Sequence, residues 1–84
     1  SPGPNQLYAD GRDQLTRGAT STARIYFQEL LTKFPASDYA PDAQFWIAES
    51  FAKEKNMPAA DAALTAWAQA AGDTLGNPRA RLGV

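Results

Sequence analysis

The residues of this 84-residue chain that could carry chemistry are mainly carboxylates, because the sequence contains no cysteine and no histidine. Asp10 with Asp13, and Asp38 with Asp42, have the spacing that places two side chains on one face of a helix. Two carboxylates without further ligands hold a metal poorly. We therefore predict that both pairs lie on a solvated surface and that the chain holds no metal.

The missing residue types also exclude whole classes of catalysis. Without cysteine and histidine there is no thiolate nucleophile, no serine–histidine pair, no zinc finger and no disulfide. The sequence has no glycine-rich phosphate-binding loop either. We predict that the chain is not an enzyme and needs no cofactor.

The charge balance excludes two kinds of partner. Eight basic and nine acidic residues give a net charge of -1, which leaves no basic surface for nucleic acid. No apolar run approaches the roughly 18 residues of a membrane span, so we expect no direct membrane insertion. The opening SPGPN lacks the basic and apolar regions of a secretory signal, so an exported form would carry its signal outside this sequence.

Four segments have apolar residues at helical spacing, and none alternates as a strand does. The second is the clearest, with Ala23, Phe27 and Leu30 three and four residues apart, and Pro35 ends it. The sequence predicts an all-α fold with helices at 7–17, at about 20–34, from a first turn containing Pro41 to about 54, and at 57–71.

Residues suited to helix ends flank these segments. Gly18 is predicted to follow the first helix, and Asn56 to cap the fourth. Thr20 or Ser21 is predicted to cap the second helix, and Ser37 or Asp38 the third. The connections within each helix pair are short, which favours antiparallel neighbours.

The four helices form two copies of one unit, because a shift of 37 residues aligns small residues with small and large with large. We predict that the bulky Phe27 and Leu64 fill the space where the small residues let two helices approach. The aligned pairs are Tyr8 with Phe45, Gly11 with Ala48, Ala23 with Ala60, and Phe27 with Leu64.

The unit resembles the tetratricopeptide repeat (TPR), whose signature has a small residue in its first helix, A-x3-F in its second and a closing proline. Copy one supplies Gly11, Ala23-x3-Phe27 and Pro35. The departures are Gln14 where an aromatic is expected, Gly72 in place of proline, and a period of 37 instead of about 34. The resemblance implies two antiparallel helix pairs stacked as an α-α superhelix.

The corresponding organisation is a disordered lead at 1–6, two TPR-like repeats at 7–35 and 44–72, and a tail at 73–84. The tail, with Leu75, Leu82 and Val84, would be a capping turn or a truncated third repeat. Two repeats are fewer than such arrays usually need, so the open ends would allow self-association.

One stretch, FPASDYAPDAQFWIAESFAKEKNMPAA, is similar to the YbgF/CpoB family, the TPR coordinators of the Tol–Pal envelope system. The matching residues are Phe34-Pro35, Ser37, Tyr39-Ala40, Ala43 and Phe45-Trp46-Ile47-Ala48-Glu49. BamD-type outer-membrane assembly lipoproteins share the FP-x-S-x-YA ending, whereas Trp46 with Glu49 favours YbgF/CpoB.

The YbgF/CpoB resemblance implies a periplasmic interaction module that coordinates outer-membrane constriction with peptidoglycan synthesis at cell division. The implied partners are a TolA-like component and a bifunctional penicillin-binding protein. The alternatives are a TPR-like slice of another scaffold, such as a BamD-type lipoprotein, and a regulatory domain of a larger protein.

In TPR arrays the first helix of each pair lines a groove that binds peptides or partner helices. Trp46 lies off the inward stripe of its helix, so it either anchors a partner, or packs on a neighbouring repeat or under the tail. Arg12 and Glu49 have opposite charge at similar positions and either pair or clamp a ligand backbone. The groove residues predicted on this basis are Tyr8, Arg12, Leu15, Asp42, Phe45, Trp46, Glu49 and Lys53.

The repeat alignment predicts that Ala23 and Ala60 lie at close helix contacts. Ala23→Leu or Ala60→Leu should lower the free energy of unfolding by about 1–3 kcal/mol through overpacking. Thermal and urea denaturation of each variant measures this change. Unchanged stability in both variants would contradict the alignment.

Overall fold

The computed structural model describes residues 2–72, and in this range the chain forms four α-helices and no strand. They are α1 (Pro4–Thr16), α2 (Thr20–Lys33), α3 (Ala40–Lys53) and α4 (Met57–Gly72). α1 packs on α2, and α3 on α4, while the two pairs meet mainly through α2 and α3. The predicted all-α, TPR-like fold is confirmed, and the predicted tail at 73–84 lies outside the described residues.

The first helix begins earlier than predicted. α1 starts at Pro4, so residues 4–6 are helical and do not belong to a disordered lead. Proline suits a first helical turn because the N–H it lacks would have no partner there. α3 has Pro41 in its first turn as predicted, and it starts at Ala40, so the second helix pair begins before the predicted repeat start at residue 44.

The turns inside the two helix pairs have the same hydrogen-bond pattern. The Ala19 N–H donates to the carbonyl of Gln14 (2.9 Å), and the Asn56 N–H donates to the carbonyl of Phe51 (2.9 Å). Each turn also has one residue in the left-handed region, Gly18 (φ 83°) and Lys55 (φ 62°). This is the Schellman ending, which satisfies carbonyls that the helix leaves unpaired.

The predicted caps of α4 and α2 have different outcomes. Asn56 caps α4 as predicted, because its Oδ1 accepts from the Ala59 N–H at 3.3 Å. The prediction for α2 is wrong, since its N-cap position is Ala19 and no side chain caps it. Thr20 is the first helical residue, and its hydroxyl donates to the Glu54 carboxylate on α3 instead.

The predicted cap of α3 is also wrong. Neither Ser37 nor Asp38 caps this helix, because the N-cap position is Tyr39 and no side chain caps it. The Ser37 Oγ accepts from the Tyr39 N–H at 3.0 Å. This bond stabilises the turn that precedes α3.

The core is built around Phe27, which is fully buried between α1 and α2. A Cβ atom added to Gly11 would lie 2.6–2.8 Å from three carbons of the Phe27 ring. Real side chains do not approach so closely, so the contact requires glycine at position 11. The small residue predicted at this helix contact is therefore confirmed.

In the second helix pair, the residues aligned with Gly11 and Phe27 are Ala48 and Leu64, and they pack differently. Ala48 is 1% exposed, and Leu64, aligned with Phe27, is 36% exposed. The prediction that Leu64 fills the core is wrong, because α4 packs on α3 and leaves this side of α4 partly open among the described helices. Trp67, one turn further along α4, is 7% exposed and is the large core residue of this helix.

Gly11→Ala tests the contact between Gly11 and Phe27, because packing and helix propensity predict opposite changes in the free energy of unfolding. Gly11→Ala should lower the free energy of unfolding by about 1–3 kcal/mol, because the new methyl group overlaps the Phe27 ring. Helix propensity alone would raise stability by about 1 kcal/mol. In the double variant that also carries Phe27→Leu, the loss of unfolding free energy should be smaller than the sum of the losses in the two single variants. Urea denaturation measures these losses. A stabilised Gly11→Ala variant would contradict this packing.

Candidate protein-interaction surface

Aromatic side chains from α1 and α3 meet where the first helices of the two pairs approach. The Trp46 indole N–H donates a hydrogen bond of 3.1 Å to the Tyr8 hydroxyl oxygen. Both side chains are half-buried, so the bond is partly shielded from water. It fixes the Trp46 ring against α1.

Arg12 covers the same indole. Its guanidinium carbon lies 4.0 Å from the centroid of the Trp46 ring, and its Nη1 donates a long hydrogen bond of 3.5 Å to the Tyr8 hydroxyl oxygen. A cation over an aromatic face is stabilised by the ring quadrupole, and tryptophan is the strongest such partner. Arg12, Tyr8 and Trp46 therefore hold one another in place.

Two further rings extend this cluster. Tyr39 stacks on Tyr8 with centroids 4.8 Å apart, and Phe45 meets Trp46 edge to face with centroids 5.2 Å apart. Tyr39 is 38% exposed, so its ring remains accessible. We call Tyr8, Arg12, Tyr39, Phe45 and Trp46 the aromatic surface.

The structure brings together four of the eight predicted groove residues, namely Tyr8, Arg12, Phe45 and Trp46. Trp46 packs on the neighbouring helix pair and is half-buried, and its role as an anchor for a partner stays a prediction. Tyr39 was missed as a surface residue because it precedes α3, although the YA ending of the preceding turn was a visible signal.

The other four predicted groove residues have different environments. Leu15 is 6% exposed and belongs to the core, so it is not a groove residue. Asp42 and Glu49 are half-buried, and Lys53 is exposed, at helical spacing along the Trp46 side of α3. Among residues 2–72, Arg12 forms no ion pair with Glu49 and stacks on Trp46 instead.

A second cluster, which we call the polar bridge, joins α2 to α3 and consists of Thr20, Arg24, Ser50 and Glu54. The Arg24 Nη1 donates to Ser50 Oγ and to Glu54 Oε2, each at 2.9 Å. The Ser50 hydroxyl in turn donates to the carbonyl of Ile47 at 2.6 Å. The fully buried Ser50 is thus satisfied, and the two pairs are linked by charge-assisted hydrogen bonds.

The polar bridge stabilises the ionised form of Glu54. The hydrogen bond from the Thr20 hydroxyl, and then that from Arg24, lowers the pKa of the Glu54 carboxyl below its ordinary value. Because the folded pKa is the lower one, this contribution to stability is present above the unfolded pKa and is lost as pH falls through the folded pKa.

Glu54→Gln should therefore lower the melting temperature at neutral pH, and the difference from the unmodified chain should shrink as pH falls below about 4.5. Circular dichroism melts across this pH range measure the difference. Glu29→Gln, which removes a carboxylate from a pair within α2, is the matched control. A difference that stays constant with pH would contradict the role assigned to the polar bridge.

The fold and the aromatic surface define the class of protein, a TPR-like helical repeat domain. Within residues 2–72, no helix is both long and apolar enough to span a membrane. In the same range, no group of three or more acidic residues could hold a metal ion.

The chain belongs to the YfiO family of outer membrane lipoproteins, whose family model matches residues 2–71. This match supports the TPR-like resemblance and a place in the cell envelope, without singling out YbgF/CpoB. Neither the curated proteins nor the solved structures include a match to the chain.

Proposed function

We propose that the chain is a non-catalytic docking module of the periplasm and that protein partners bind on its aromatic surface. The observation that carries this proposal is the half-buried Trp46, which is held between Tyr8 and Arg12 before any partner arrives. Tryptophan, tyrosine and arginine dominate the binding energy of many interfaces. Side chains that are already ordered lose little entropy on binding.

The family match favours a role in outer-membrane assembly, as in BamD-type lipoproteins. A second candidate is the Tol–Pal role, with a TolA-like component and a bifunctional penicillin-binding protein as partners. The Phe45-Trp46 sequence with Glu49 on the same helix is the observation that favours it. Both candidates use the same surface and differ in the partner.

The experiment is a titration of isotope-labelled chain with the periplasmic part of TolA and, separately, with purified periplasmic components of outer-membrane assembly. Amide and indole shifts should cluster on the aromatic surface with one of these partners. The Trp46 indole signal should move, whereas that of the buried Trp67 should move less.

Tyr39→Ala should weaken the binding of that partner about tenfold, because it removes the most accessible ring of the surface. Ile25→Ala is the matched control, since Ile25 is 63% exposed on α2 and lies outside the surface. Equal loss in both variants, or shifts confined to α2 and α4, would move the docking site elsewhere.

A further inference from the structure

The hydrogen-bond donors of the aromatic surface exceed its acceptors. The Tyr8 hydroxyl oxygen accepts from Trp46 and from Arg12, so its own proton can be donated to a ligand oxygen. Arg12 carries five N–H donors, and among the described residues only Tyr8 accepts from it. No carboxylate in residues 2–72 forms an ion pair with Arg12. The described part of this surface therefore presents N–H and O–H donors from Arg12 and Tyr8, and the side of α3 that carries Trp46 also carries the half-buried carboxylates of Asp42 and Glu49.

These donors are close enough to serve one ligand group. Arg12 Nη1 and Tyr8 Oη lie 3.5 Å apart, so the two oxygens of a single carboxylate can accept from both. The Trp46 ring lies against the guanidinium of Arg12, whose N–H donors point outward in the guanidinium plane, the geometry that suits planar recognition of a carboxylate. Charge-assisted bonds of this kind are stronger than neutral ones.

The rings on either side indicate where the carboxylate lies in a partner. Tyr39 contacts Tyr8 at one end of the cluster, and Phe45 contacts Trp46 at the other. Apolar side chains can therefore follow the carboxylate in both chain directions. This arrangement suits an acidic residue inside a segment better than a free chain end.

We propose that the aromatic surface recognises an extended partner segment in which an aspartate or glutamate side chain is flanked by apolar residues. The carboxylate accepts from Arg12 and Tyr8, and the apolar neighbours pack on Tyr39 and Phe45. This inference rests on the proposed docking function and specifies the chemistry of its partner.

The test uses the intact chain and short acetylated, amidated peptides with a central Phe-Glu-Phe or, as the control, Phe-Gln-Phe. At millimolar peptide, the glutamate peptide should shift the Trp46 indole and bind about tenfold more tightly than the glutamine peptide. Added salt should reduce this preference.

Substitutions show which residues produce the preference for the glutamate peptide. Arg12→Gln should abolish the preference for glutamate, and Tyr8→Phe should reduce it. Arg17→Gln removes the same charge from an exposed position just after α1 and should leave the preference intact. Circular dichroism melts confirm folding, and Arg12→Lys, which keeps the charge, provides a second measurement if Arg12→Gln does not fold.

Equal affinity for the two peptides, or no binding of either, would overturn this inference. Stronger binding of a peptide that has a free carboxyl end and no acidic residue would also overturn it, in favour of a chain end. The docking function is judged separately by the protein titrations, so it can stand when the peptide preference fails.

Discussion

The contact between the Phe27 ring and the backbone at Gly11 is the constraint on which the rest of the structure depends. It sets how closely α1 and α2 approach, because a Cβ atom at position 11 would overlap the Phe27 ring. The ring of Tyr8, one turn before Gly11, then lies 6.1 Å from that of Phe27, centroid to centroid. The core thereby positions Tyr8, which accepts the Trp46 hydrogen bond. The close contact between Gly11 and Phe27 inside the first helix pair thus helps to position the aromatic surface outside it.

The two helix pairs are joined by contacts of different chemistry. Between α2 and α3, Arg24 lies over the Phe51 ring at 4.1 Å and donates to Ser50 and Glu54. Between α1 and α3, the aromatic surface itself makes the contact. A surface that also holds the pairs together is ordered before binding, which favours recognition of a defined segment.

Local features of the sequence predicted most of the fold, whereas distant pairings could not be predicted. The apolar periodicity, Gly18 and Asn56 act within a few residues, so four helices and two of their ends followed from the sequence. The partner of Thr20 is Glu54, far along the chain, and no local pattern identifies it. Periodicity also cannot separate Leu15, which is buried, from Tyr8, which shares its helix and reaches the surface.

The matching turns at Gly18 and Lys55 differ in what their conformation costs. Glycine adopts the left-handed region without steric penalty, whereas a lysine there gives up about 1 kcal/mol. Natural selection maintains stability above a threshold and does not maximise it. A glycine at position 55 would remove this cost and stabilise the second turn. The position lies outside the proposed binding surface, so the change would leave that surface intact.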